Sequence, residues 1–115
     1  MVYTIEEIKE KIQPIAEKYE LPVVYLFGSY ARQEADDESD IDIAVSVQGL
    51  DITGFELLDL EDEIKNVFSR PVDFLVVEDI EVGKSPIAIQ VKKNFQKEKV
   101  KLYETGSVRK GLLLS

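Results

Sequence analysis

The stretch LFGSYARQEADDESDIDIAVSV, residues 26–47, decides how the chain is to be read. An apolar run breaks at Gly28-Ser29, an acidic polar loop follows, and the loop leads into Ser39-Asp40-Ile41-Asp42-Ile43. Residues i and i+2 of a β-strand point to one face. Asp40 and Asp42 are therefore expected side by side at the start of a strand, with Ile41, Ile43 and Val45 buried on its other face. Two carboxylates held that close repel each other unless a proton or a cation relieves them. Hard oxygen ligands suit Mg²⁺, which binds through one or two carboxylates plus the phosphates of a substrate.

The whole chain narrows the chemistry. Its 115 residues suit one domain with a modest core, and 44% hydrophobic with 32% charged residues is a globular balance. It has no histidine, which excludes histidine general bases, Ser-His-Asp triads and histidine-ligated zinc. It has no cysteine, which removes disulfides and thiolate metal sites. No apolar run approaches the roughly 20 residues that cross a bilayer, and no secretion signal opens the chain, so the expected location is cytoplasmic, away from membranes. The net charge of −9 argues against a direct nucleic-acid-binding surface. It leaves a single nucleotide open, since Mg²⁺ bridges carboxylates to phosphates. It also favours a basic protein partner, although solubility alone accounts for many acidic proteins.

Around the central stretch, Thr4-Ile5-Glu6-Glu7 has the form of a capping box, followed by Ile5, Ile8, Ile12, Ile15, Ala16 and Tyr19 at helical spacing. Pro14 should kink or split that helix. Residues 23–27 read as a strand buried on both faces, and residues 30–32 as the first turn of a short helix. A second capping box, Thr53 to Glu56, opens a helix that buries Leu57, Leu60, Ile64, Val67 and Phe68 and ends before Arg70-Pro71. Residues 72–77, VDFLVV, form a third strand whose five apolar residues suggest a central position. Residues 78–84 read as an acidic connection. Ser85-Pro86 opens another helix, with Ile87, Ala88, Val91 and Phe95 as its buried stripe. Residues 99–103 suit an edge strand blunted by lysines. The domain is expected over residues 1–105, with 106–115 as a tail whose Leu112-Leu113-Leu114 run has no assigned role.

Asp40, Asp42 and Asp73 interrupt apolar strand contexts. If the strands carrying Asp42 and Asp73 are neighbours, all three carboxylates converge on one or two divalent ions. Two ions about 3.5–4 Å apart stabilise the attacking and leaving oxygens of an in-line phosphoryl displacement. The third acid sits where it could also take the nucleophile's proton. Glycine at position 28 lets a phosphate approach the backbone, N–H groups at a turn or helix start favour anions, and the Ser29 hydroxyl adds a hydrogen bond. Alone, an Asp-x-Asp pair is usually a solvated strand end, a Gly-Ser pair a turn, and an Asp early in a strand a cap. The conjunction, in consistent order with a strand beneath each piece, is what carries the inference.

Gly28-Ser29, ten residues, then Asp40-Ile41-Asp42-Ile43 resembles the signature of the nucleotidyltransferase superfamily that includes DNA polymerase beta. The fuller string FGSYARQEADDESDIDIAV, with VDFLVV downstream, is similar to its smallest members, the minimal nucleotidyltransferase domains that serve as antitoxins to HEPN-domain toxins. The resemblance implies an α/β (α+β) fold, a short mixed sheet flanked by helices. It implies transfer of AMP from ATP, with Mg²⁺ as cofactor, to a tyrosine hydroxyl of a HEPN toxin partner, possible homo- or hetero-oligomers included. Asp40, Asp42 and Asp73 match the catalytic metal-binding carboxylates, and Gly28 and Ser29 the phosphate-binding turn. Arg32 matches a recurrent position, open either to a phosphate contact or to a salt bridge that fixes the acidic loop. Gln33 stands where those members often carry glycine. Two alternatives stay open: an acidic antitoxin that blocks its toxin by binding alone, and transfer to a small molecule. The second would need an acceptor pocket for which this chain has no second domain.

Overall fold

The computed structural model describes residues 2–105, and the residues of the expected tail lie outside it. A four-stranded mixed sheet of order β3-β2-β1-β4 forms the centre. Its strands are β1 (Val23–Phe27), β2 (Ile41–Ser46), β3 (Val72–Val76) and β4 (Val100–Glu104). β1 pairs antiparallel with β2 and with β4, whereas β2 and β3 run parallel. The helices are α1 (Ile5–Lys18), α2 (Gly28–Ala31), α3 (Gly54–Asn66), α4 (Val77–Val82) and α5 (Pro86–Glu98). This is the expected α+β fold.

The alternation of the strands explains the layers. Val24, Leu26, Ile41, Ile43 and Val45 face a core shared with Ile8, Ile12 and Ile15 of α1 and Leu60 and Ile64 of α3. Ala44, Tyr25, Phe27 and Leu75 face the opposite side, where Ile80 of α4 and Phe95 of α5 cover them. Phe95 stands edge-on to Tyr25 and Phe27, ring centroids 5.3 and 5.6 Å away, and so fixes α5 against β1. Both capping boxes form: Thr4 with Glu7, and Thr53 with Glu56. Ser85 caps α5, with Pro86 in its first turn.

Four expectations change. α1 runs unbroken through Pro14. Pro14 and Glu10, the residue whose carbonyl loses its N–H partner, are both exposed, so water replaces the missing bond. Val77, expected to end the third strand, and residues 78–82 of the expected connection are helical, and Glu78 anchors α4 to β2 by accepting from the Ser46 hydroxyl at 2.8 Å and the Val47 N–H at 2.9 Å. Ile87, expected in the buried stripe, is 79% exposed, and Phe95 carries the packing of α5. Finally, β3 is an edge strand, not a central one. Its apolar residues are covered by helices on the two faces rather than by a further strand. β4, the other edge, fits the expected lysine-bearing edge strand.

Candidate active site

The site lies where β1 ends and β2 and β3 begin. Register sets it. Phe27 is opposite Asp42 across the antiparallel pair, and Asp42 is opposite Asp73 across the parallel pair. Ile41 N–H donates to the Pro71 carbonyl at 3.0 Å, which locks the two strand starts together. Because the register places Gly28 immediately after the partner of Asp42, turn and carboxylates are contiguous. A Cβ on Gly28 would fall 2.1 Å from Asp42 Oδ2, and Gly28 has φ +74, a conformation that side chains disfavour. The glycine thus leaves room for the Asp42 carboxylate and turns the chain out of β1 into α2.

Asp42 is half-buried, and its carboxyl is pushed up to about 7. Burial is the main cause, followed by a hydrogen bond to Asp73 and by the charges of Asp73 and Asp40, with Arg32 pulling the other way. Asp73 is exposed at the start of the edge strand, and Asp40 is exposed one residue ahead of β2. The structure therefore joins Asp42 and Asp73 directly, while Asp40 adds its charge from beside them. Among the described residues no group of three or more acidic side chains forms a ready-made metal cage. The donor set still fits a hard divalent cation. A like-charged pair that shares a proton is what such an ion would relieve, and Gly28 leaves the Asp42 carboxylate room beside the turn.

Ser29 is the second residue of the single turn of α2, whose first N–H groups have no intrahelical acceptor. Arg32 caps the far end of α2 and forms ion pairs with Glu34 at 2.7 Å and with Glu98 of α5 at 2.9 Å. The salt bridge to the acidic loop, one of the two roles open to Arg32, is formed, and it extends to α5. Gln33 follows at φ 60, in the left-handed region. A helix ends here by the turn that glycine makes most easily, and Gln33 makes it without that freedom.

One positioning residue carries no sequence signal. Arg70, read only as the end of a helix, donates from its guanidinium to the carbonyls of Asp36, Asp37 and Ser39. It pins the loop that delivers Asp40 and Asp42 to the chain segment that delivers Asp73. Within the loop, Ser39 Oγ accepts from Asp36 N–H at 2.9 Å and Asp36 Oδ1 accepts from Glu38 N–H at 2.9 Å. The acidic loop is thus a structured turn, and its partners pull the Asp36 carboxyl below its ordinary value, the Glu38 N–H first.

The model of the family described as "Polymerase beta, Nucleotidyltransferase" matches residues 10–107. The proposed protein adenylyltransferase MJ0435 of Methanocaldococcus jannaschii is 41% identical over 76 residues, covering 66% of this chain and 81% of that protein. A toxin–antitoxin crystal structure with AMP-PNP superposes with a TM-score of 0.63 at 21% identity, covering 84% of this chain and 73% of that one. A complex of a tri-AMPylated Shewanella oneidensis HEPN toxin with its MNT antitoxin gives 0.59 at 20% identity, covering 93% and 78%. At those identities the two structures speak for the fold, and the family match speaks for membership: this chain belongs to the polymerase beta nucleotidyltransferase family.

Proposed function

We propose that this nucleotidyltransferase moves AMP from ATP to a hydroxyl of a partner protein, a tyrosine of a HEPN-domain toxin, and thereby acts as its antitoxin in the cytoplasm. The observation that carries it is the in-register pairing of Asp42 with Asp73 directly beside the Gly28 turn. The names of the Methanocaldococcus relatives and of the toxin complexes supply the acceptor class.

The chain's own residues divide the work. The turn at Gly28 and Ser29 receives the phosphates, the glycine by close approach and Ser29 by its hydroxyl and N–H. Asp40, Asp42 and Asp73 would hold Mg²⁺, which when bound neutralises the charge of the phosphates and of the carboxylates alike. The acceptor oxygen attacks the α-phosphorus, the bond to the β,γ-diphosphate breaks, and pyrophosphate leaves. The hydroxyl proton passes to a carboxylate, for which the exposed Asp73 is the accessible candidate. Arg32 stands close enough to Asp42 to act on its charge, and an incoming triphosphate would compete with Glu34 and Glu98 for it.

The test is transfer of label from α-labelled ATP to the purified HEPN-domain protein of the same genome, with Mg²⁺ present. Wild-type protein should label it, and Asp40→Asn/Asp42→Asn should not. Neutralisation of the toxin that survives the double substitution, without labelling, would point instead to an antitoxin acting by binding alone. Labelling of a free small hydroxyl compound without any protein would point to the small-molecule alternative.

A further inference from the structure

The edge strand β3 carries Asp73 at one end and has no neighbour on its outer side. Among the described residues no strand pairs with that outer edge, since β3 is bonded in the sheet to β2 alone. Unpaired apolar edges are usually blunted by lysine, proline or a bulge. Here Pro71 precedes the strand, Asp73 is its one charged residue, and Phe74-Leu75-Val76 carries no lysine, proline or bulge. Phe74 and Leu75 lie half-buried in the wall of a groove of about 410 Å³, between Leu57 and Leu58 of α3 on one side and Ala88 and Val91 of α5 on the other. The groove thus wraps the sheet edge from both helical layers. Leu58 in its lining is 59% exposed, and Phe55 and Ile87, each next in sequence to the lining residues Gly54 and Ala88, are 83% and 79% exposed.

Charge selects the occupant. The ionisable side chains lining the groove are Glu61 and Asp79, and no lysine or arginine lines it. Glu61 is paired with Lys65 at 2.7 Å, so Asp79 is the acidic group left to meet an incoming cation among the described residues. A second copy would bring another −9 and the same acidic rim to its own edge, which disfavours an edge-to-edge dimer. We propose that this groove is the docking site of the acceptor protein, which adds an extended segment of apolar and basic residues along β3. Strand addition supplies main-chain hydrogen bonds, and flanking grooves read alternate side chains. Strands pair about 4.8 Å apart, so a residue seated opposite Asp73 brings its hydroxyl to the carboxylates. The proposal rests on the transfer activity proposed above.

The experiment measures affinity and label transfer separately, with the purified HEPN-domain protein as probe. Leu58→Asp/Ile87→Glu changes two exposed side chains, and Asp79→Lys reverses the rim charge without touching the apolar wall. Both variants should keep their melting temperature and bind an ATP analogue like the wild type, while affinity for the HEPN protein falls about tenfold or more. Asp40→Asn/Asp42→Asn should bind the HEPN protein and fail to label it. Unchanged affinity in both groove variants would overturn the docking site while leaving the transfer activity standing. Binding that depends on the groove, with no labelling by wild type, would keep the docking site and remove the activity. A wild-type dimer in sedimentation that the groove variants dissolve, or a wild-type protein with no affinity for the HEPN protein, would also overturn it.

Discussion

Asp42 and Asp73 face each other in register across the parallel strand pair β2-β3, and the Asp42 carboxylate occupies the space that a Cβ on Gly28 would need. Turn, carboxylate pair and edge strand are therefore one mechanical unit, and changes to any of them should be felt at the others.

Gly28→Ala separates backbone from site. At φ +74 an alanine costs about 1 kcal/mol of stability from conformation alone. Its methyl also collides with Asp42 Oδ2, which has room to give only by moving the carboxylate. Gly49→Ala is the control, since Gly49 has φ +80 and nothing within 4 Å. Gly49→Ala should lose only the conformational cost in urea denaturation, Gly28→Ala should lose more, and only Gly28→Ala should lose label transfer. Equal activity in the two would contradict the close approach of Gly28 and Asp42.

The pH dependence of the metal-free protein follows from Asp42. Its carboxyl is raised in the folded state from an ordinary 3.8 to about 7, so the unfolded chain releases that proton more readily. The associated stability is fully present below pH 3.8 and is lost as pH rises through 7. In EDTA, the urea midpoint attributable to this group should fall between pH 5 and pH 8. Asp42→Asn should flatten that fall and raise stability at pH 8 while abolishing transfer. Adding Mg²⁺ at pH 8 should stabilise wild type and not the variant; a midpoint indifferent to Mg²⁺ would count against the carboxylates as its ligands.

Gln33→Gly should stabilise the protein. The left-handed conformation at φ 60 disfavours a side chain by about 1 kcal/mol, and glycine ends a helix there freely. Thermal denaturation should show a gain of that order, reduced by the greater freedom glycine gives the unfolded chain. A loss of stability would mean that the Gln33 side chain contributes more than its conformation removes.

Arg70→Met should loosen the acidic loop without opening the core, because the guanidinium holds the Asp36, Asp37 and Ser39 carbonyls from the neighbouring segment. Hydrogen bonds from a charged group contribute roughly 1.5–3 kcal/mol when buried, and these are partly exposed, so about 1 kcal/mol of stability is expected to go. Amide exchange over residues 36–40 should quicken, and kcat should fall about tenfold with the nucleotide KM little changed, since Gly28 and Ser29 stay in place. An unchanged exchange rate would show that the loop holds itself.

The site was largely legible because its parts are local. Asp40-Ile41-Asp42 announces shared side-chain direction by strand periodicity, and the turn at Gly28 announces itself by glycine. Both capping boxes were legible for the same reason: their partners are three residues apart. β3 was misjudged because apolar content reports burial and not what does the burying. Helices on both faces bury an edge strand's side chains as well as neighbouring strands would, and the exposed Ile87 shows the same blindness from the other side. Arg70 was invisible because its acceptors are main-chain carbonyls 31 to 34 residues away, which leave no imprint on residue type.

The sequence by itself determined the chemistry: no histidine or cysteine, three carboxylates in apolar settings, a glycine turn ahead of them, and a strong negative charge. These are matters of residue type and short-range spacing, which a linear chain records directly. Only the tertiary structure decided which carboxylates meet and what lies open beside them. The parallel register of β2 and β3 is set by long-range packing of Ile41, Ile43, Val45 and Val72 into one core, and that packing puts Asp42 beside Asp73 and leaves β3 at the edge.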